Sequence, residues 1–104
     1  MECVQQGDIL WLEREGRYVL VLSREFFNQS GLSVVCPLGE NVEPDALHIR
    51  ILSGVYNGTA LLEHLRSLDL QVRHYRKISG ISYEQIQDIS DAVQGIFDYY
   101  PYSV

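Results

Sequence analysis

Short apolar runs separated by polar turns dominate the first part of the chain. Asp8–Leu12 and Arg17–Ser23 are rich in aliphatic, β-branched and aromatic residues, which favour β-strands. The polar residues 13–16 between them end in glycine, so the two runs predict a β-hairpin. A further apolar run, Leu32–Leu38, follows the break at Ser30-Gly31 and predicts a third strand.

The middle of the chain continues this β pattern. Residues 40–45 are polar, acidic and contain a proline, so we expect a surface loop there. Ala46–Leu52 alternates apolar and polar residues, which predicts a half-buried antiparallel strand with His48 on its solvated side. The dipeptide Asn57-Gly58 predicts a tight turn, after which Thr59–Leu62 is expected to form another strand.

The last part of the chain predicts one helix. Ser82 and Gln85 have the spacing of a capping box, in which each side chain accepts or donates at the other residue's backbone. Ile81 and Ile86 have the spacing of a hydrophobic staple at the same end. Apolar residues then recur at helical spacing and form one stripe: Ile86, Ile89, Val93, Ile96 and Phe97.

The elements together indicate a mainly β fold with one late helix. Tyr75–Ile78 predicts a last short strand, and Pro101 is expected to end the helix. The aromatic segment 98–102 is expected to pack on its own barrel or on a second copy of the chain. Many short strands and one helix predict a closed or half-open antiparallel barrel, built as a single domain over residues 1–104.

The charge balance narrows the partners. The formal net charge is −6, with 14 acidic residues against 8 basic ones. Because phosphate contacts dominate nucleic-acid affinity, this balance argues against non-specific binding by the whole surface. The balance leaves a local basic patch open, since four bases lie close together in sequence: Arg66, Arg73, Arg76 and Lys77.

Hydropathy and cysteine usage predict a cytoplasmic protein. The polar segment 1–6 lacks the layout of a signal peptide, and no apolar run approaches the roughly 18 residues that cross a bilayer. The cysteines Cys3 and Cys36 fit a reducing compartment better than a disulfide. Cys36 lies in an apolar run and is expected to be a small buried residue.

The spacing of candidate ligands predicts neither a metal site nor a cofactor. The two cysteines are far apart in sequence, and no glycine-rich phosphate loop or nucleophile elbow is present. The remaining polar residues suit phosphodiester cleavage, which needs a base, an acid and a cation for developing charge. Glu63 and His64 offer the first two, and Arg17 and Arg66 offer guanidinium groups for phosphate. On residue types alone, a solvated Glu-His turn and an ion pair of Arg66 with Asp69 are the alternatives.

Several short segments of the chain occur in the same order as the motifs of a known family. Together they cover roughly residues 6 to 97 and resemble the MazF/PemK family of bacterial toxins. The segments are Gln6–Leu12 (the GDI(V/L)W opening), Gly16–Ser23 (GRRPALVLS), Phe27–Leu32 (FNQxG), Val35–Leu38 (VCPI), Gly58–Asp69 (GVALADQVKSID) and Gly80–Ile89 (the closing segment and helix).

This resemblance implies a fold, an activity and partners. The family implies a homodimeric, SH3-like barrel of the CcdB/MazF type that cleaves single-stranded RNA without metal and is occluded by a small antitoxin. Arg17 falls on the family's catalytic arginine, and Glu63 falls on its acidic residue, normally Asp. His64 stands where the family has Gln, as a candidate acid. Arg66 and Arg73 match basic positions that are expected to bind RNA.

Some positions depart from the family pattern. Gly39 stands two residues after Pro37, where the family has its catalytic threonine, and Tyr18 replaces the proline after the catalytic arginine. The loop between the first two strands is reduced to residues 13–16. Two hypotheses therefore stay open: an active toxin endoribonuclease, or a catalytically inactive relative that acts as a protein-binding dimer.

Overall fold

The computed structural model describes residues 3–97 of the chain. The predicted helix end at Pro101 and the predicted packing of segment 98–102 lie outside these residues. Seven strands and two helices occupy the described part: β1 (Asp8–Leu12), β2 (Arg17–Val21), α1 (Glu25–Asn28), β3 (Leu32–Gly39), β4 (His48–Leu52), β5 (Asn57–Leu61), β6 (Arg66–Asp69), β7 (Tyr75–Gly80) and α2 (Tyr83–Phe97). Short 3₁₀ turns cover Leu62–His64 and Leu70–Val72.

The strands form one antiparallel sheet in the order β4-β5-β3-β2-β1-β7. Strand β3 is long enough to serve two partners along one edge. Its first half, Leu32–Val35, pairs with β6, and its end, Leu38 and Gly39, pairs with β5. The divided edge belongs to a sheet that curls into a half-barrel with one helix after the last strand, which confirms the predicted fold.

Alternation along the strands gives the sheet two apolar faces. Ile9 and Leu20 point to one face, where Ile89 of α2 completes the cluster. Leu10 and Val19 point to the other face, where a second cluster forms. Cys36 is fully buried in the first cluster, and this burial raises the pKa of its thiol to about 12. The prediction of a buried, unpaired Cys36 is confirmed.

The start of α2 follows the sequence prediction only in part. The Ser82 hydroxyl oxygen accepts a hydrogen bond from the backbone N–H of Gln85 at 3.2 Å, so Ser82 is the N-cap. The Gln85 side chain does not reach back to Ser82. With its amide oriented to satisfy both partners, it bonds the carbonyl and the N–H of Leu52 at 3.0 and 3.1 Å. The reciprocal half of the predicted capping box is therefore wrong, because two bonds to the open edge of β4 replace one to Ser82.

The predicted turn at Asn57-Gly58 is also wrong. Both residues lie in β5, where Asn57 pairs with Leu52 of β4. The chain turns earlier, where the Ser53 hydroxyl bonds the N–H and the carbonyl of Tyr56 at 2.8 and 2.7 Å. Gly58 leaves room for the Tyr56 ring, since a Cβ at position 58 would lie 2.5 Å from the Tyr56 hydroxyl oxygen unless that side chain moved. Among residues 3–97, no helix is long and apolar enough to cross a membrane.

Candidate functional site

An open groove of about 830 Å³ lies on the second apolar face of the sheet. The β1–β2 hairpin, the end of β3, the turn after β5 and strand β6 surround it. The polar side chains that line it are Glu15, Arg17, His64 and Arg66, and the apolar ones include Leu12, Val19, Val35, Leu61 and Leu68. Three of the five residues predicted from sequence thus meet at one place.

Strand alternation explains why the two arginines share this groove. Arg17 begins β2 and lies on the same face as Val19, two residues later. Arg66 begins β6 and lies on the same face as Leu68. Since β2 and β6 flank opposite edges of β3, both side chains rise from neighbouring strands above a common apolar floor.

Neither arginine is neutralised by a neighbouring acid. Within residues 3–97, no carboxylate lies within ion-pair distance of Arg17 or Arg66. The alternative pairing of Arg66 with Asp69 is not formed; the Asp69 carboxylate accepts from the backbone N–H of Gln71 at 3.0 Å. Both guanidinium groups are exposed and have their donors available for an anion.

The two polar residues of the turn Leu62–His64 have side chains in different places. His64 lines the groove, whereas Glu63 does not. The Glu63 carboxylate bonds His48 Nε2 at 2.6 Å, and Asp45 bonds His48 Nδ1 at 3.0 Å. We call Asp45, His48 and Glu63 the histidine bridge. His48 lies on the solvated side of β4, as expected, but the sequence did not predict that both of its ring nitrogens have carboxylate partners.

The histidine bridge shifts the pKa values of its members in the directions expected for ion pairs. The hydrogen bond to Glu63 raises the pKa of His48, and Asp45 adds to this effect. The hydrogen bond from His48 in turn lowers the pKa of Glu63. The pKa of Asp45 is lowered chiefly because its carboxylate accepts from the backbone N–H of Leu47. The bridge therefore favours an imidazolium held between two carboxylates.

The predicted basic patch is largely paired with acids. Arg73 forms an ion pair with Glu15 and does not line the groove. Arg76 pairs with Glu13 at 3.2 Å, and Lys77 pairs with Asp8 at 3.2 Å. Of the four clustered bases, only Arg66 reaches the groove without an acidic partner in residues 3–97.

The chain is similar to a known family of proteins. Residues 5–97 match the family model described as a PemK-like, MazF-like toxin of type II toxin-antitoxin systems. The chain belongs to this family. No curated protein matches the chain in sequence.

Solved structures of a MazF protein and of endoribonucleases share the fold. A MazE-MazF structure from Deinococcus radiodurans aligns with a TM-score of 0.83 at 21% identity, over 93% of this chain and 98% of that one. An endoribonuclease from Mycobacterial species aligns with a TM-score of 0.81 at 12% identity, over 97% and 98% of the two chains. An endoribonuclease in complex with its cognate antitoxin, also from Mycobacterial species, aligns with a TM-score of 0.79 at 11% identity, over 94% and 99%. The family and fold expected from the short motifs are confirmed.

In this PemK/MazF protein, one departure from the family pattern lies inside the groove. Gly39 lines it, at the position where the resemblance leads one to expect a hydroxyl. A Cβ at Gly39 would meet the side chains of Val42 and Leu61 at 3.2 and 3.3 Å. Both neighbours are aliphatic side chains, so a larger residue fits if they move by a few tenths of an ångström.

Sequence reasoning missed Glu15. It is the one carboxylate of residues 3–97 that lines the groove, and Arg73 holds it there. An acid two residues before Arg17 in a short hairpin was the available signal, because a four-residue connection keeps both ends close. No cluster of three or more potential metal ligands occurs in residues 3–97.

Proposed function

We propose that this PemK/MazF protein is a toxin endoribonuclease that cleaves single-stranded RNA by attack of the 2′-hydroxyl, without a metal ion. The observation that carries the proposal is the groove, where Arg17 and Arg66 stand without acidic partners in residues 3–97 beside His64. Unpaired guanidinium groups over an apolar floor bind a phosphate and stabilise the charge that develops on it.

The reaction divides into two proton transfers and one displacement. A base removes the 2′-hydroxyl proton, and the 2′-oxygen bonds to phosphorus while the bond to the 5′-oxygen breaks. An acid then protonates the leaving 5′-oxygen, which gives a 2′,3′-cyclic phosphate and a 5′-hydroxyl end. Arg17 and Arg66 hold the phosphate oxygens, and His64 supplies the proton to the leaving oxygen.

Glu63 is the proposed base, and the histidine bridge controls its use. The carboxylate is bonded to His48 at 2.6 Å and does not line the groove, so it accepts the 2′-hydroxyl proton only after this bond opens and the side chain turns toward the groove. The hydrogen bond raises the pKa of His48 and lowers the pKa of Glu63, so it favours the charged form of both groups. The bond between them therefore opens more easily when His48 loses its proton.

The same family membership supports a proposal about the partners of the chain. We propose a cytoplasmic homodimer that a small antitoxin protein binds and inhibits. The support is that similar folds occur in MazE-MazF structures and in an endoribonuclease bound to its cognate antitoxin. Arg73 is proposed to contact RNA next to the groove, where it forms an ion pair with the groove residue Glu15.

The direct experiment is cleavage of single-stranded RNA by the purified protein in the presence of EDTA. We expect cut RNA that carries a 2′,3′-cyclic phosphate on one end and a 5′-hydroxyl on the other. Arg17→Ala protein, purified in the same way, controls for contaminating nuclease. Intact RNA, or cleavage that EDTA abolishes, contradicts the proposal.

A second candidate function is a catalytically inactive dimer that acts by binding a protein. Two observations favour it: Gly39 brings no hydroxyl into the groove, and the Glu63 carboxylate is engaged by His48. Growth arrest after expression separates the two functions. An active nuclease loses its toxicity in Arg17→Ala, whereas a protein-binding toxin keeps its toxicity in that variant.

A further inference from the structure

Strand β4 lies at one edge of the sheet, where within residues 3–97 it pairs with β5 on one side only. An edge strand presents unpaired backbone groups, to which a strand of another chain can add. In an antiparallel pair, alternate residues bond the neighbouring strand, and the residues between them direct their backbone N–H and carbonyl away from it. The free edge of β4 is therefore formed by every second residue.

The bonds at the two ends of β4 identify these outward residues. The Leu62 N–H donates to the Leu47 carbonyl at 3.0 Å. At the other end, the Ser53 N–H donates to the Tyr56 carbonyl at 3.2 Å. Both pairs continue the register of β4 and β5, so the odd-numbered residues of β4 bond β5. The even-numbered residues form the free edge: His48, Arg50 and Leu52.

Asp45 occupies the start of this edge. The His48 N–H donates to a carboxylate oxygen of Asp45 at 2.9 Å, and the His48 carbonyl accepts from the Asp45 N–H at 3.0 Å. Both outward backbone groups of His48 are thus bonded within the chain. A strand from another molecule could pair with His48 only after these bonds break.

Gln85 of α2 occupies the other end of the edge. In the orientation that satisfies both partners, its carboxamide donates to the Leu52 carbonyl at 3.0 Å and accepts from the Leu52 N–H at 3.1 Å. A carboxamide carries a donor and an acceptor side by side, as the backbone of a strand residue does. The Gln85 side chain therefore takes the place that a residue of an added strand would occupy. Ile89, one turn later, is buried in the first apolar cluster and holds α2 in this position.

Arg50 is the one outward residue of β4 whose backbone groups have no bond among the described residues. Two copies of β4 could then pair antiparallel only with Arg50 opposite Arg50 of the other copy. Such a contact has one hydrogen-bonded residue pair, and it places two like charges directly opposite each other, which is destabilising. The wild-type edge is therefore unfavourable for self-pairing.

We infer that Gln85 blocks a sheet edge that would otherwise pair with β4 of a second copy of this chain. Without the Gln85 amide, the backbones of Arg50 and Leu52 are both free, and two β4 strands can pair antiparallel about Ile51. In that register Arg50 lies opposite Leu52 of the other copy, so two hydrogen-bonded residue pairs form and like charges are not opposed. The Leu52 side chain is 58% exposed, so pairing also removes apolar surface from water.

The variant Gln85→Met tests this inference, because methionine has a similar length and favours helices but cannot form the two bonds to Leu52. Gln87→Met, at an exposed site of the same helix, is the matched control for the added apolar side chain. Sedimentation velocity at concentrations up to about 100 µM measures association. Amide hydrogen exchange, resolved by NMR, measures the protection of Arg50 and Leu52.

In the wild type we expect the Leu52 amide to exchange slowly and the Arg50 amide to exchange fast. In dilute Gln85→Met, the Leu52 amide should exchange about tenfold faster, as the loss of one hydrogen bond predicts. At high concentration this variant should reach twice the mass of the wild type, and both amides should become protected. Gln87→Met should behave like the wild type in both measurements.

Three results overturn the inference. Equal exchange of the Leu52 amide in the wild type and in Gln85→Met shows that the Gln85 amide does not block the edge. A Gln85→Met protein that keeps the wild-type mass, or that associates without protecting Arg50 and Leu52, shows that the freed edge does not pair with a second copy. Equal association of Gln87→Met assigns the effect to the added apolar side chain.

A thermal midpoint near that of the wild type shows that each variant is folded. If Gln85→Met does not fold, Gln85→Ala replaces it, because alanine removes the amide and favours helices without adding apolar bulk. The same expected and contrary results apply to it. The measurements use no RNA, so their outcome is independent of the proposed function.

Discussion

The groove and the histidine bridge lie next to each other but differ in whether their charged groups are paired. In the groove, Arg17 and Arg66 are exposed and have no acidic partner in residues 3–97. In the bridge, both nitrogens of His48 are bonded to carboxylates at 2.6 and 3.0 Å. Unsatisfied charge at a concave surface favours a ligand, whereas satisfied charge fixes a local structure. The same short turn, Leu62–His64, contributes to both regions, so one backbone segment links binding with stability.

The largest expected effect concerns Glu63, the member of the histidine bridge that is also the proposed base. Glu63→Gln keeps the shape of the side chain but removes the proposed base, and we expect RNA cleavage to fall on the order of 100-fold or more. Cleavage rates of purified proteins measure this. His48→Gln is the companion variant, because it frees the Glu63 carboxylate and should not lose activity. Equal cleavage by Glu63→Gln and wild type would assign Glu63 to the bridge alone.

The next effect concerns the groove itself. Gly39→Thr should place a hydroxyl where the family resemblance expects one and raise the cleavage rate on the order of 10-fold. Gly39→Ala is the matched control, because it introduces the same Cβ against Val42 and Leu61 without the hydroxyl. A gain shared by both variants would show that backbone stiffening, not the hydroxyl, is responsible.

The bridge predicts a characteristic pH dependence of stability. The pKa of His48 is raised in the folded state, so its contribution is fully present below its unfolded pKa and is lost as pH rises through the folded value. The pKa values of Asp45 and Glu63 are lowered, so their contributions are present above the unfolded values and are lost as pH falls through the folded ones. The bridge is therefore strongest between about pH 4.5 and about pH 6.5.

Denaturation midpoints measured across pH test this window. The wild type should lose stability relative to His48→Gln as pH rises from about 6 to about 8. Parallel curves for the two proteins over that range would mean that the bridge does not form in solution.

The smallest expected effect is on the stability of groove variants. Arg66→Ala removes an exposed side chain that has no acidic partner in the described residues, so the free energy of unfolding should change by about 0.5 kcal/mol or less. Chemical denaturation measures it. A clearly larger loss would show that Arg66 supports the fold. It would contradict the distinction between groove residues that bind a ligand and bridge residues that stabilise the structure.

Local signals predicted the elements whose ends are fixed by their own residues. The hairpin of β1 and β2 follows from alternating apolar runs around a short polar turn, and Ser82 caps α2 as its spacing predicts. The resemblance to the family pointed to Arg17, His64 and Arg66, which the fold brings to one groove.

Long-range partners decided what the sequence did not predict. Strand β6, Arg66–Asp69, is short and forms because the first half of β3 offers an open edge. The Gln85 side chain bonds the backbone of Leu52, which lies far away in sequence, and does not bond Ser82. The bridge also joins residues from two separate loops around His48, and no local pattern encodes such a meeting.

The central claim is that the groove binds the phosphate that is cut, and one matched pair of variants tests it most directly. Arg17→Ala removes a groove arginine, and Arg50→Ala removes an exposed arginine of β4 outside the groove. Cleavage of single-stranded RNA should fall on the order of 100-fold or more in Arg17→Ala and stay near wild type in Arg50→Ala, with both proteins folded. Equal cleavage by the two variants would contradict the account.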